Sequence, residues 1–141
     1  MRRVLVDTGP IVAILSRQDP YHKICVEALH EMPGPLFTCW PVITEAAWLL
    51  RRDGQSVQKL LRSFNTGFLE LLPLDVDDAR TIASIMKKYH EPGAQLADAA
   101  LVCLAARHGL DAIFTLDQRD FSVYRLPKGR TFRLLPQINV K

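Results

Sequence analysis

Two aspartates follow short apolar runs, at places where a β-strand would end. Asp7 follows residues 4–6 (VLV), and Asp117 follows residues 113–116 (IFTL). Aspartate often begins a turn, so chain reversal alone explains either residue. If both runs are parallel strands of one sheet, however, both carboxylates emerge at the edge where open α/β sheets bind their ligands.

Two more acids stand in apolar surroundings. Asp98 is the only ionisable residue between positions 96 and 106, where the others are Leu, Ala, Val or Cys. A helix that is apolar on all sides lies in a protein interior, where an isolated carboxylate is costly. Glu45 likewise has apolar neighbours one helical turn away. The alternatives are an aspartate stabilised by a helix N-terminus and a surface glutamate.

Together these acids predict a metal site. Two unit charges 4 Å apart repel by about 4 kcal/mol at an effective dielectric constant near 20, so converging carboxylates need a cation. Mg²⁺ or Mn²⁺ suits a site of carboxylates and waters, and leaves positions for a phosphate oxygen and a nucleophilic hydroxide. Phosphodiester hydrolysis is the chemistry that such a site supports. The predicted catalytic acids are Asp7, Glu45, Asp98 and Asp117, with Glu45 bound to the ion directly or through water.

Further polar residues flank the acids. Thr8 follows Asp7, and Thr115 lies two residues before Asp117, so either hydroxyl can orient a carboxylate or a metal-bound water. Ordinary threonines at strand ends are the alternative. Asp120 is a provisional further ligand, or a plain loop aspartate.

Apolar runs and turn signals alternate along the chain, which is typical of an α/β fold with parallel strands joined by helices. Strands are predicted at residues 3–6, 36–39, 68–72, 112–116 and 131–135. Helices are predicted at residues 11–15, 21–31, 41–52, 57–64, 76–89 and 95–107. Ser56 and Asp75 are the predicted N-caps of the fourth and fifth helices.

Composition narrows the class of protein. A chain of 141 residues, 48% hydrophobic and 23% charged, suits one folded domain and argues against intrinsic disorder. Its apolar stretches are too short to span a membrane. Three cysteines without a CxxC pair argue against disulfides or a thiolate zinc site and favour a reducing cytoplasm. Residues 107–141 carry seven basic and three acidic side chains, which suits a polyanionic partner or simply a solvated surface.

Histidine and tryptophan add little to this chemistry. The histidines show no HxH or HxxxH spacing and are expected at the surface or at helix ends; they are His22, His30, His90 and His108. Trp40 and Trp48 can stack on bases, but their helical spacing favours core or dimer packing.

The acids and their neighbours resemble the PIN domain family, metal-dependent nucleases that include the VapC-type toxins of prokaryotic toxin–antitoxin pairs. Residues 4–9 (VLVDTG) are similar to the family's first strand with its acid and hydroxyl, and Glu45 lies where the second acid is expected. Residues 96–101 (LADAAL) and 113–121 (IFTLDQRDF) are similar to the third acid and a Thr-x-Asp-x-x-Asp-Phe pattern. The resemblance covers essentially the whole chain.

The resemblance implies one PIN-like domain over residues 1–141, a three-layer α/β/α sandwich whose mostly parallel sheet has four to five strands. It implies an endoribonuclease that needs Mg²⁺ or Mn²⁺ and uses a metal-activated water, so no protein general base is required. A homodimer and an inhibitory antitoxin are the implied partners. Arg119, Arg17 and Arg107 are candidates for holding RNA phosphates, or else solvated arginines.

Three other classes of protein share part of this pattern. A haloacid-dehalogenase-like phosphatase needs a second aspartate two residues after the first, but that position is Gly9. A receiver domain needs a buried central-strand aspartate and a late strand-end lysine, neither of which stands out. A PIN-like module that binds RNA or a partner without cleaving is disfavoured by the complete set of four acids.

Overall fold

A five-stranded parallel sheet forms the centre of the molecule in the computed structural model, which describes residues 3–137. The strands are β1 (Val4–Val6), β2 (Leu36–Thr38), β3 (Leu69–Leu71), β4 (Ala112–Phe114) and β5 (Arg133–Leu135). Their order is β3-β2-β1-β4-β5, and each neighbouring pair is parallel. The predicted α/β fold with a parallel sheet is therefore confirmed.

Helices connect the strands and cover the sheet. They are α1 (Thr8–Leu15), α2 (His22–Leu29), α3 (Trp40–Leu50), α4 (Ser56–Thr66), α5 (Asp78–Lys88), α6 (Leu96–His108) and α7 (Gln118–Phe121). A 3₁₀ turn follows at Pro127–Gly129. No helix within residues 3–137 has the length and apolar character needed to cross a bilayer.

The direction of winding reverses beside β1. From β1 the chain proceeds outward to β2 and β3 through α1–α4, then crosses back to β4 and β5 after α5 and α6. Because crossovers between parallel strands are right-handed, the two directions place their helices on opposite faces and produce three layers. The reversal makes the carboxyl end of the sheet between β1 and β4 the topological switch point, where such folds bind ligands.

The core explains why these segments form these elements. All three residues of β1, β2 and β4 are buried, as expected of parallel strands covered on both faces. In α6 the buried residues include the whole stretch from Ala99 to Ala105, so the prediction of an interior helix is confirmed. Gly109 ends α6 with φ of +64°, a left-handed conformation that glycine adopts without strain.

Some element boundaries differ from the predicted ones. The regular part of helix α5 begins at Asp78, later than predicted. Asp75 nevertheless makes the contacts of an N-cap, since its carboxylate accepts a hydrogen bond from the Asp77 amide and its own amide donates to the Asp78 carboxylate, both at 2.9 Å. Ser56 is the first residue of α4 and not its cap, and its hydroxyl donates to Asp53. Strand β4 ends at Phe114, earlier than predicted, and β5 begins only at Arg133. The four-residue helix α7 is too short to produce a periodic pattern, so it was missed.

Candidate active site

Five acids line one cavity of about 470 Å³ at the switch point. They are Asp7, Glu45, Asp98, Asp117 and Asp120. The cavity therefore brings together all four predicted catalytic acids and the provisional one, although they come from four separate segments of the chain. The rest of its wall includes Thr8, Gly9 and Leu116.

Asp7 is placed by the backbone of the sheet. It follows β1 directly and caps α1, and its amide donates to the carbonyl oxygen of Phe114 at 2.9 Å, extending the β1–β4 ladder. Its side chain is buried, with the residue only 6% exposed. Its carboxylate oxygen Oδ2 accepts a hydrogen bond of 3.0 Å from the Thr115 hydroxyl.

The Thr115 hydroxyl joins two of the acids. Besides donating to Asp7, its Oγ1 accepts a hydrogen bond of 2.9 Å from the backbone amide of Asp117. One buried hydroxyl thus holds the carboxylate that follows β1 and the loop that carries the acid following β4. This contact agrees with the orienting position that the sequence predicts for Thr115.

Thr8 lines the cavity but has no such partner. The residue is 3% exposed, and its Oγ1 is buried without a hydrogen-bond partner within the described residues. A buried hydroxyl left unpaired costs about 1–3 kcal/mol, so a group that enters the cavity and bonds to it is favoured.

Three of the acids form a compact cluster. One carboxylate oxygen each from Asp98, Asp117 and Asp120 lies within 4.8 Å of the others. Asp117 is the N-cap residue of α7, and Asp120 follows about one turn later, so both carboxylates lie on the same side of this short helix. Both face the first turn of α6, which carries Asp98. The provisional residue Asp120 therefore belongs to this compact cluster.

Asp98 has a partner that the sequence did not reveal. The Tyr124 hydroxyl donates a hydrogen bond of 2.9 Å to Asp98 Oδ2. Asp98 is half-buried in the first turn of α6, so the interpretation as a helix N-terminal aspartate is also correct. Tyr124 was missed because it lies in a loop 26 residues away and belongs to no recognisable motif.

Glu45 lies at the rim of the cavity. It projects from α3, is exposed, and is outside the compact cluster of three aspartates. Its predicted placement near the other acids is therefore observed.

Desolvation dominates the electrostatics of Asp7. Its pKa rises from 3.8 to about 7, chiefly because the carboxyl is buried. A hydrogen bond with the Thr8 backbone opposes the rise, repulsion from Asp98 and Glu45 adds to it, and the Thr115 hydroxyl opposes it. At neutral pH this carboxyl is thus poised between its protonated and ionised forms.

The same causes act in the cluster. Desolvation, a hydrogen bond with Asp120 and repulsion from it raise the pKa of Asp117 to about 6. Desolvation is also the main cause that raises the pKa of Asp98, with repulsion from Glu45 and Asp120 adding to it. A bound cation reverses this balance, because it favours the ionised form of every ligand.

These shifts predict how pH affects the stability of the metal-free protein. Unfolded, Asp7 loses its proton near pH 4, whereas folded it keeps the proton to about pH 7. The folded state binds more protons in that interval, so the free energy of unfolding falls as pH rises from about 4 through 7. We expect a loss of about 2 kcal/mol or more between pH 5 and pH 8, within the upper limit of about 4 kcal/mol that the Asp7 shift sets.

Urea denaturation in the presence of a chelator measures this slope. The Asp7→Asn variant carries no titrating group at that position, so its stability is expected to vary distinctly less with pH. Equal slopes for wild type and variant, or stability that rises with pH in the wild type, would contradict the assigned protonation of Asp7.

The three predicted RNA-binding arginines lie in different places. Arg119 is exposed on α7, between two acids of the cluster, and forms no ion pair within residues 3–137. Arg107 is instead paired with the buried carboxylate of Asp78, about 14 Å along α6 from the site. Arg17 lies beyond the far end of α1. The expectation that Arg107 and Arg17 flank the acids is therefore corrected, since each helix carries its arginine away from the cavity.

Tryptophans and histidines are not part of the acidic cavity. Trp40 and Trp48 are 53% and 63% exposed, so the expectation of core packing is wrong for both. Together with Leu96 they line a groove beside the cavity, which we call the tryptophan face. The histidines do not line the cavity, and His22 instead bonds through Nδ1 to the carbonyl oxygen of Ala13.

The fold and the site define a class. A parallel sheet with order β3-β2-β1-β4-β5 and acids converging on its switch point is an α/β protein with a site suited to a hard divalent cation. The sequence profile of the PIN domain matches residues 4–126. The chain belongs to the PIN domain family.

Individual relatives agree with this assignment. The chain is 30% identical over 135 residues to ribonuclease VapC26 of Mycobacterium tuberculosis (strain ATCC 25618 / H37Rv), an alignment that covers 94% of this chain and all of the relative. It is similar in fold to the crystal structure of VapC20 of Mycobacterium tuberculosis, a toxin that cleaves the sarcin-ricin loop. That match has a TM-score of 0.76 at 17% identity and covers 83% of this chain and 92% of the other.

Proposed function

We propose that this protein is a divalent-metal-dependent endoribonuclease and the toxin of a toxin–antitoxin pair. The observation that carries the proposal is the convergence of Asp7, Glu45, Asp98, Asp117 and Asp120 on one cavity. Membership of the PIN domain family and the ribonuclease activity in the name of the 30% identical relative support it.

The residues present fit a Mg²⁺ or Mn²⁺ ion. All the charged groups lining the cavity are carboxylates, the ligands that hard divalent cations prefer. The compact cluster of Asp98, Asp117 and Asp120 supplies three of them, and Asp7 lines the same cavity. We assign these four as the ligands and Glu45 as a ligand through water.

The residues of the chain have distinct parts in the proposed reaction. When bound, a divalent ion lowers the pKa of a water and stabilises the charge that develops on the scissile phosphate. Thr115 fixes the carboxylate of Asp7 and the loop that carries Asp117. These acids are therefore already ordered before the reaction, and the entropic cost of positioning them is small. Thr8 offers its unpaired hydroxyl to a group in the cavity.

Arg119 is the proposed contact to the RNA backbone. It is exposed, and it adjoins the acids on α7, so a phosphate beside the cavity lies within reach of its long side chain. A guanidinium there offsets the repulsion between the acidic cavity and a polyanionic substrate.

Cleavage of RNA by the purified protein tests this proposal. We expect fragments from a structured RNA pool in the presence of Mn²⁺, since the acids are complete and grouped. The competing function is a PIN-like module that binds RNA or a partner without cleaving. Such a module leaves RNA intact at every metal concentration while still retarding it in a gel, and that result would overturn the enzyme assignment.

A homodimer and an antitoxin complete the proposal. The tryptophan face exposes large apolar side chains that monomeric proteins seldom leave in water, and we assign it to contact with a second copy of the chain. Sedimentation equilibrium tests the homodimer, which a monomeric mass at micromolar concentration would contradict. The antitoxin follows from the VapC relatives, and coexpression with proteins encoded beside this one tests it.

We further propose that residues 1–141 form one domain that works in the cytoplasm. The single hydrophobic core formed by the described residues and the family match over residues 4–126 support one domain. The free, buried state of all three cysteines supports a reducing compartment.

A further inference from the structure

Tyr124 is a buried tyrosine whose hydroxyl contacts an acid of the site and no other polar group within residues 3–137. The residue is fully buried, and its hydroxyl donates to Asp98 Oδ2 at 2.9 Å. The family pattern that identifies the acids ends at Phe121, so nothing in that pattern assigns a role to this residue. Because this buried hydroxyl donates to one carboxylate, its function is to be sought in what it does to Asp98.

Aromatic packing fixes the position of this hydroxyl. The Tyr124 ring packs edge-on against Tyr89 and against Phe121, with centroid distances of 5.0 Å in both pairs. Phe121 packs in turn against Phe132 at 5.6 Å. Because neighbouring rings pack against the Tyr124 ring on two sides, the position of its hydroxyl is fixed. Phe121 also follows Asp120 in α7, so the same packing positions a second acid of the cluster.

Asp98 needs such a donor more than an ordinary aspartate does. Its carboxylate is half-buried and faces the negative charges of Glu45 and Asp120, which favour protonation or rotation away from the cluster. The hydrogen bond from Tyr124 to Oδ2, together with one between the carboxylate and the Gln95 backbone, opposes both effects, and Tyr124 is the side chain that provides such a bond.

We propose that Tyr124 is a positioning residue that holds Asp98 in the orientation required to bind the divalent ion. The inference rests on the proposed function, because it takes Asp98 as a ligand. Partners that orient metal ligands in this way typically change metal affinity by about 10- to 100-fold when they are removed. The packing of the rings of Tyr89, Phe121 and Phe132 holds the Tyr124 hydroxyl in place, as a residue that orients a metal ligand requires.

The experiment compares two matched variants of the full chain. Tyr124→Phe removes the hydroxyl on Asp98 and keeps the ring. Tyr89→Phe removes a hydroxyl from the same aromatic cluster and also keeps the ring. Within residues 3–137 that hydroxyl accepts a hydrogen bond from the backbone amide of Arg125 and contacts no acid. Mn²⁺ binding is measured without RNA by electron paramagnetic resonance of the free ion. We expect Tyr124→Phe to bind Mn²⁺ about 10- to 100-fold more weakly and Tyr89→Phe to bind it as the wild type does.

A second measurement separates positioning from a general loss of structure. RNA cleavage by Tyr124→Phe is expected to be reduced at low Mn²⁺ and to recover toward the wild-type rate at saturating Mn²⁺, since the ligand itself is intact. Equal Mn²⁺ affinity in wild type and Tyr124→Phe overturns the proposal. So does an equal loss in both variants, which indicates disturbed packing, and so does a wild type that binds no Mn²⁺.

Failure of the enzyme assignment gives a different pattern. If the wild type binds Mn²⁺ but cleaves no RNA, and Tyr124→Phe alone weakens binding, the ribonuclease proposal fails while the positioning role of Tyr124 holds. If the wild type cleaves RNA but Tyr124→Phe and Tyr89→Phe bind Mn²⁺ with equal affinity, the positioning role of Tyr124 fails while the ribonuclease proposal holds.

Discussion

Replacing Asp7 with asparagine is expected to abolish RNA cleavage, with a rate at least about 10³-fold below that of the wild type. The proposed metal ion contributes several kcal/mol of charge stabilisation, and about 1.4 kcal/mol corresponds to a factor of ten in rate. Asp7 is the most buried acid of the site and is held by the sheet and by Thr115, so no neighbouring carboxylate can move into its place.

The same substitution is not expected to unfold the protein. Asparagine has nearly the size of aspartate, and its carbonyl oxygen can still accept the hydrogen bond from Thr115. Removing a desolvated acid repelled by Asp98 and Glu45 favours the folded state, so the metal-free variant is expected to be at least as stable as the wild type above pH 7. Thermal melts and RNA cleavage measured on the same preparation separate the two effects.

Asp111→Asn is the matched control. Asp111 directly precedes β4, at the edge of the sheet opposite to the cavity, and pairs with the exposed Arg130 at 3.0 Å. Loss of such a surface pair costs at most about 1 kcal/mol, and we expect cleavage near the wild-type rate. The catalytic assignment of Asp7 fails if folded Asp7→Asn still cleaves RNA, or if Asp111→Asn loses as much activity.

Removal of divalent metal is expected to have an effect of similar size. Chelation should lower cleavage to the background level, and added Mn²⁺ or Mg²⁺ should restore it. The reason is that the proposed reaction depends on a water activated by an ion that these carboxylates hold. Metal should also stabilise the fold, since it neutralises Asp98, Asp117 and Asp120 where their oxygens lie within 4.8 Å. At a concentration 100 times the Kd the gain is about 2.7 kcal/mol, or roughly 9 °C in Tm for a chain of this length.

Differential scanning fluorimetry over a metal titration measures this stabilisation. The Tm should rise with metal concentration in the wild type and rise less in Asp98→Asn, which loses one proposed ligand. A Tm that does not change up to millimolar metal, or cleavage that persists in excess chelator, contradicts a metal site formed by these acids.

The sequence predicted the architecture and the acids through local physics. Short apolar runs alternating with helical segments favour parallel strands. Asp7 and Asp117 stand out in the sequence because each follows such a run directly. Asp98 was found because a single carboxylate in an apolar helix is costly. These signals are local, since burial patterns and desolvation costs depend on neighbours within a few turns of the chain.

The tertiary structure decided which of the polar residues meet. Asp120 joined the central cluster because α7 turns it toward α6, and Glu45 remained at the rim because its face of α3 is exposed. Arg107, in the last turn of α6 and far from the cavity, forms an ion pair with Asp78 of α5. Sequence patterns assign residues to elements, but these outcomes depend on the path of loops and on the direction in which each helix leaves the sheet.

The sequence by itself thus determined the α/β fold, the edge of the sheet that carries the site, and four of its acids. Only the tertiary structure decided that Thr115 bridges Asp7 and Asp117 and that Tyr124 holds Asp98. The physical reason is that a hydrogen bond depends on distances of a few tenths of an ångström between groups far apart in the chain. Those distances are set by the order of strands and the packing of aromatic rings, which no local pattern of residues records.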